Sequence, residues 1–410
     1  MPTFILRAAA LAAALLPALA PAAPLTLDHA IELALARSQA LHSAAAATSA
    51  AREMARASGE LPDPMLQVGV DNLPVTGPDR FSTTRESMTM KRIGVAQEWL
   101  GADKRAARRA VAEAGVEREL AAARSAAAQT RLQTALAWLD AWFAARALEL
   151  ATLTEHHAHE QFEAARARLA TAGAGSPEVL AASAALGQAE DEAAGARQQQ
   201  SAAQVALERW IGPSDEPLVA PPALAAAPAA AWVAAHPAVV AGQRQVELAR
   251  REAALAATAR HPNWTWALSY AQRTGYSDMV SLGVSIPLPV APAERQDRET
   301  AARLAAADQA EADLTEATRA AGAEHDALAS DAARLQERIE RWRDAVLRPA
   351  AQRTAAALAA YRASQLALAA LFESRHAEVE AQQKLLALER DLARTRARLA
   401  YTPITEGAQR

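Results

Sequence analysis

Between Asn263 and Leu288 apolar and polar residues alternate. Trp264, Trp266, Leu268 and Tyr270 interleave with Asn263, Thr265, Ala267 and Ser269; beyond a polar turn, Val280, Leu282, Val284 and Ile286 interleave with Ser281, Gly283 and Ser285. A period of two with one apolar face predicts two strands with a different solvent on each side. Strands of about ten residues with aromatics on the apolar face suit a membrane barrel. A buried hairpin in a soluble sandwich would alternate in the same way. Earlier in the chain, Leu66, Val68 and Val70 alternate with Gln67, Gly69 and Asp71 over Met65 to Leu73. After a Pro/Gly-bearing loop a second strand is expected over Ser87 to Glu98, with Ile93 and Val95 on its apolar face and Lys91 and Arg92 interrupting it.

Elsewhere the period lengthens to that of a helix. One helix is expected from Leu27 to about Glu60, and a second from a cap at Asp103 to about Ala170, roughly 100 Å at 1.5 Å per residue. Within it Leu132, Leu136, Leu139 and Phe143 recur at coiled-coil spacing. The run TAGAGSP breaks it, and Glu178 to about Trp210 returns as the other arm of a hairpin. Ser214 to Ala231, rich in Pro and Ala, reads as a linker. The order then begins again, with helices over Trp232 to Arg260, Glu294 to Ala360 and, after a turn near Arg362 to Leu366, on to Tyr401. Pro62 and Pro262 register the two halves, and Leu335, Ile339, Trp342 and Val346 repeat the seam. This is a tandem duplication. Residues 23–213 form the first repeat, 214–231 the linker, 232–401 the second repeat and 402–410 a tail. Pro349 has no counterpart in the first long helix and is expected to kink or break the second.

Composition narrows the setting. The chain is 51% hydrophobic but only 4% aromatic and very rich in alanine, which packs helices closely and fills a globular core poorly. A net charge of −4 gives no basic character to suggest nucleic acid. Residues 1–22 carry Arg7, a short apolar run and small residues ending at Ala22, a pattern that reads as a cleaved export signal. The chain has no cysteine, hence neither disulfides nor a Cys-linked lipid anchor. No later apolar run is long enough for a membrane helix. If the chain enters a membrane, its strands do so. Four strands cannot close a barrel alone, because an open edge in lipid leaves backbone groups unpaired. Three copies would supply twelve, with the helices continuing as a tube of coiled coils.

Taken with the duplication, several local motifs give a family resemblance. Leu61-Pro62-Asp63-Pro64 precedes the first strand, Ile93-Gly94-Val95 lies before the first long helix, and Leu282-Gly283-Val284-Ser285-Ile286-Pro287-Leu288 is its second-half counterpart. Over essentially the whole mature chain this resembles the TolC-type outer-membrane efflux proteins. LPDPMLQVGVDNLPVTGPDRFS, MTMKRIGV and ADKRAARR look most like the CzcC-like heavy-metal branch. The resemblance implies a mainly α fold with a small β part. It also implies a homotrimer in Gram-negative outer-membrane lipid, working with a periplasmic adaptor (membrane fusion) protein and an inner-membrane pump of RND type. Heavy-metal cations are the implied cargo. The implied periplasmic tips are Tyr361, Arg362, Ser364, Leu368, Leu371 and Phe372 in the second half. In the first half they are Arg168, Gly173, Ser176, Val179 and Leu180. Ser364 stands where the family usually has glycine.

Other chemistry is sparse. His156, His159 and Glu160 share a helix face at metal-ligand spacing, although a duct gains nothing by holding its cargo tightly. Met88 and Met90 share a strand face; Lys104, Arg105, Arg108 and Arg109 open a helix and read as a solvated face; Glu178, Glu373 and Asp344 read as solvated charges near the tip. No nucleophile elbow, phosphate loop or zinc pattern is present, so no enzyme and no cofactor is expected. The rival reading is a soluble periplasmic coiled-coil scaffold or adaptor, and the apolar strand face discriminates, since exposed in water it would aggregate.

Overall fold

The computed structural model describes residues 24–171, 175–363 and 365–404. The export signal, the end of the tail, and the tip residues Gly173 and Ser364 lie outside the described residues. The elements run α1 (Leu27–Arg37), α2 (Gln39–Ala57), β1 (Met65–Asp71), β2 (Met90–Trp99), α3 (Ala102–Ala170), α4 (Ser176–Ile211), α5 (Ala229–Ala234), α6 (Pro237–Ala257), β3 (Trp264–Arg273), β4 (Met279–Ser285), α7 (Gln296–Trp342), α8 (Arg348–Arg362) and α9 (Leu368–Tyr401). The order helix, strand, strand, long helix, turn, helix thus occurs twice. In space the chain forms two compact units, each drawing on both halves.

Three expected helices are interrupted, each for a local reason. The first breaks at Ser38, whose ψ of 110° is extended; α1 falls in one unit and α2 in the other. The helix expected over Trp232 to Arg260 breaks ahead of Pro237, because the residue before a proline is pushed out of the α region. His236 there is extended, and its Nδ1 accepts the Ala238 amide at 3.3 Å. The third interruption is softer than a break. Pro349 cannot donate, and its ring would strike the carbonyl four residues back. Arg343–Leu347 answer with a π turn in which the Arg348 amide reaches the Arg343 carbonyl, and the helix resumes as α8.

The first unit holds the larger core. Leu27 and Ile31 of α1 meet Trp138, Leu139 and Phe143 of α3, Leu207 and Ile211 of α4, and Ala397 of α9. Leu136, Leu139 and Phe143 of the expected seam lie on this side of α3, and Trp138, outside that spacing, is fully buried with Thr134 and Ala135. Ile339 of the second seam packs with Leu385, Leu388 and Leu392 of α9. Val346 is 36% exposed, turned out in the π turn. The linker is pinned where Leu25 pairs in parallel with Leu218, its amide meeting the Pro217 carbonyl at 3.0 Å, and where Leu224 packs on the core. In the second unit α6 and α7 pack through Val246, Ala249, Ala307 and Ala310.

That unit also carries the sheet, antiparallel throughout in the order β1-β2-β3-β4. Strand boundaries shift from expectation, two of them with consequences for the faces. β4 stops at Ser285, leaving Ile286 beyond it, because Pro287 and Pro289 have no amide to pair. β2 begins at Met90, so Met88 lies in the preceding turn and shares no strand face with it. One face of the sheet is crowded. A Cβ placed on Gly94 would sit 2.7 Å from the Ser269 Cβ opposite, and Ala96 and Ala271 are buried on the same side. Side chains that converge on one face and spread on the other mark a sheet curved toward the crowded face.

Gly94→Ala should therefore lower the melting temperature of the detergent-solubilised protein, overpacking of this kind costing about 1–3 kcal/mol. Adding Ser269→Gly should recover only part of the loss, because the new Cβ still meets the Leu268 carbonyl oxygen at 2.9 Å, as a circular-dichroism melt of the three proteins would show.

Candidate functional site

The register of the sheet assembles the alternating residues into rows. Val68, Ile93, Tyr270 and Val280 face one another in one row; Leu66, Val95, Leu268 and Leu282 form the next. Every residue of both rows is exposed, Leu282 at 76% and Val68 at 74%. Val284 extends the face beside Trp266, which is half-buried, and Trp264 contacts Trp99 with ring centroids 5.9 Å apart. Trp99 was not among the expected girdle aromatics; its spacing of four from Val95 was the available signal. The opposite, concave face holds Gln67, Gly94, Ser269 and Ser281 in one row, and Ala96, Ala267 and Gly283 in another. Lys91 and Arg92, which blurred the sequence pattern, fall on different faces. Lys91 follows Val70 at the end of the convex face, and Arg92 meets Asp71 on the concave one at 3.2 Å. Among the described residues β1 and β4 end the sheet on either side with no further strand beside them.

Where strands pass into helices a polar clasp holds the junction. Lys104 Nζ donates to the His261 carbonyl at 2.9 Å and to Asn263 Oδ1 at 2.8 Å, and Asn263 Nδ2 donates to Glu98 Oε1 at 2.6 Å. Asp103 pairs with His261 at 2.9 Å, and Asp297, at the start of α7, takes Arg260 at 2.7 Å. Two long helices thus grip adjacent residues just ahead of β3. The hydrogen bond to His261 holds the Asp103 carboxyl below its ordinary value. The basic run at the start of α3 is therefore not simply solvated.

The tips lie in the other unit. Of the residues expected there, Leu371 and Phe372 are buried, Arg168, Val179 and Leu368 are half-buried, and Ser176, Leu180, Tyr361 and Arg362 are exposed. The acids read as solvated are each ion-paired: Glu178 with Arg168 at 2.8 Å, Glu373 with Arg353 at 3.0 Å and Asp344 with Arg348 at 2.7 Å. Ion pairs join the two helical hairpins, Asp140 of α3 with Arg394 of α9 and, toward the tips, a second one. Arg375 of α9 reaches Glu160 of α3 at 3.0 Å while its guanidinium lies 5.7 Å from the Phe372 ring centre. No sequence pattern pointed to this pair, whose members are 215 positions apart.

The histidine cluster is drawn into that link. His156 lies 3.4 Å from Glu160, and His159 is exposed. His157 lines a cavity of about 270 Å³ with Thr154, Glu192, Phe372 and His376. Burial, and then the nearby Arg375 charge, hold its imidazole below the usual value, which favours the neutral form at pH 7. Among the described residues no three His, Asp or Glu side chains come together as a metal site.

The whole arrangement is the fold of known outer-membrane channels. The Campylobacter jejuni CmeC outer membrane channel aligns over 94% of this chain and 87% of its own, with a TM-score of 0.78 and 13% identity. The open-state MtrE outer membrane channel of Neisseria gonorrhoeae gives 92% and 88%, a TM-score of 0.77 and 17% identity. CusC gives 92% and 91%, with a TM-score of 0.74 and 16% identity. No protein-family model and no curated protein matches the chain in sequence. These neighbours are channels, not enzymes.

Because Asp103 has a depressed carboxyl, the clasp stabilises the fold above the ordinary value of 3.8 and is lost as pH falls through and below it. Asp103→Asn should thus lower the melting temperature at pH 6, and the gap to wild type should close toward pH 3, as paired melts across that range would show.

Proposed function

We propose that the chain is the outer-membrane subunit of a tripartite efflux pump, a passive exit duct formed by three copies. The observation that carries this is the convex apolar face, continuous across four strands and flanked by unpaired edges at β1 and β4. In lipid those edges need partners, and neighbouring copies supply them, giving a barrel of twelve strands. A soluble scaffold would leave the same face in water. Residues 1–22 direct export, the two repeats supply a pair of strands each, and Leu66, Val68, Val70, Ile93, Val95, Trp264, Trp266, Leu268, Tyr270, Val280, Leu282, Val284 and Ile286 meet lipid or its boundary.

The helices extend into the periplasm of a Gram-negative cell and meet an adaptor protein, behind which an inner-membrane pump of RND type supplies the energy. Their tips gate the duct by splaying. Arg375–Glu160 latches the hairpins shut, and Arg353–Glu373 braces α8 against α9. Heavy-metal cations are the proposed cargo, on the motif resemblance of the first repeat. A strain lacking the chain should then become metal-sensitive and recover on complementation.

Light scattering in detergent should give a trimer from the outer-membrane fraction; a detergent-free monomer in the periplasm would overturn the duct. Arg375→Ala should raise the conductance of the resting channel in a planar bilayer. Exposed pairs are worth about 0.2–1 kcal/mol each, so three lost latches enlarge the open population by about threefold to a hundredfold. Conductance equal to wild type would remove the latch.

A further inference from the structure

The second unit contains an open groove of about 1120 Å³ lined from three helices: Arg52 and Arg56 of α2, Arg109 of α3, and Arg244 and Arg251 of α6. Only three acids face them, Glu113, Glu117 and Glu247. Two of those are spent on neighbours, Glu247 on Arg251 at 2.7 Å and Glu117 on Arg244 at 3.9 Å. Arg56 takes Glu53, outside the groove, at 2.7 Å. Among the described residues Arg52 and Arg109 have no carboxylate within ion-pair distance, and neither does Glu113. Arg109 is nevertheless placed. Its guanidinium lies across the buried backbone of Gly59, where an added Cβ would come within 2.6 Å of Nη2.

The fold decides which way this groove opens. α2 leads into β1, α3 follows β2, and α6 leads into β3, strands that lie side by side in that order. A cavity that touches both flanking helices across the middle one lies on the concave side of the layer. The concave side of the sheet is the face of Gly94, Ala96 and Ala271. In a closed barrel that side is the lumen. Arg52, Arg56, Arg109 and Arg251 all lie within about two turns of the helix ends that meet the sheet.

We infer that this groove is a binding site for multivalent anions, carried on phosphoryl or carboxylate oxygens, and that in the trimer it forms a positive girdle around the lumen just below the barrel. Its placement in a lumen rests on the duct reading; the binding itself does not. Guanidiniums without a protein carboxylate are the groups that accept oxyanions most strongly, in paired, charge-assisted hydrogen bonds. The girdle concentrates anionic solutes at that level, and a metal cation crosses it accompanied by anions rather than bare.

The test uses inorganic triphosphate and the full-length protein in detergent. Calorimetry should find a salt-sensitive site in wild type that Arg52→Gln/Arg109→Gln weakens at least about tenfold, while Arg250→Gln, which alters a pair with Glu311 away from the groove, leaves it intact. No binding, or equal binding to the double variant with an unchanged oligomer mass, overturns the site. In a planar bilayer, triphosphate added to the barrel side should reduce conductance of wild type and not of the double variant. If triphosphate binds as expected but no channel forms, the duct reading fails and the site stands; if channels form and both proteins respond alike, the girdle fails and the duct stands.

Discussion

A sheet with one apolar face and two bare edges has no resting place in water. Each backbone amide and carbonyl along β1 and β4 that meets no partner costs several kcal/mol in a hydrocarbon setting, and each exposed Leu, Val or Ile of the convex face costs free energy in an aqueous one. Only closure of the sheet by further strands, with lipid around it, removes both penalties together. The rest of the chain is arranged around that requirement. The helices arrive at the sheet in strand order, and the Lys104, Asn263 and Asp103 contacts fix where helix stops and strand begins. The small residues Gly94, Ala96 and Ala271 let the sheet curve.

Periodicity carried most of this architecture. Strand alternation over Trp264 to Tyr270 and Val280 to Val284 survived intact because side chains on a pleated strand have only two directions to take. The uninterrupted run of α3 was legible for a similar reason, since nothing between Asp103 and Ala170 opposes a helix. Local chemistry that competes with periodicity was harder to read. Ser38 and Pro237 divide helices whose apolar pattern runs straight through, and Pro349 produced a widened turn where a kink or break was expected. What sequence could not provide was pairing across distance. Arg375–Glu160 and the arginines of the groove come together only once helices remote in sequence are laid side by side, and no spacing along one helix encodes that.

The two halves share an order of elements but not a mechanical character. In the first, α3 runs unbroken to its turn; in the second, the corresponding helix carries a five-residue π turn above the tip. Such turns trade well-aligned hydrogen bonds for a wider, softer ring and recur at functional positions. The tip link therefore joins the unbroken α3 to α9, the return arm of a hairpin whose outgoing arm is the more compliant one.

The interleaving of the two compact units bears on how the protein comes into being. β2 pairs with β3 across an intervening stretch of more than a hundred residues, and both units take pieces from each half. The N-terminal half thus emerges from synthesis without the partners its strands require. Contacts this remote along the chain are slow to form and pay their loop-closure entropy first. The early hairpin must wait, with its apolar face uncovered, until the later one arrives. Duplication gave the chain two similar halves, yet the four-stranded sheet exists only once both are present.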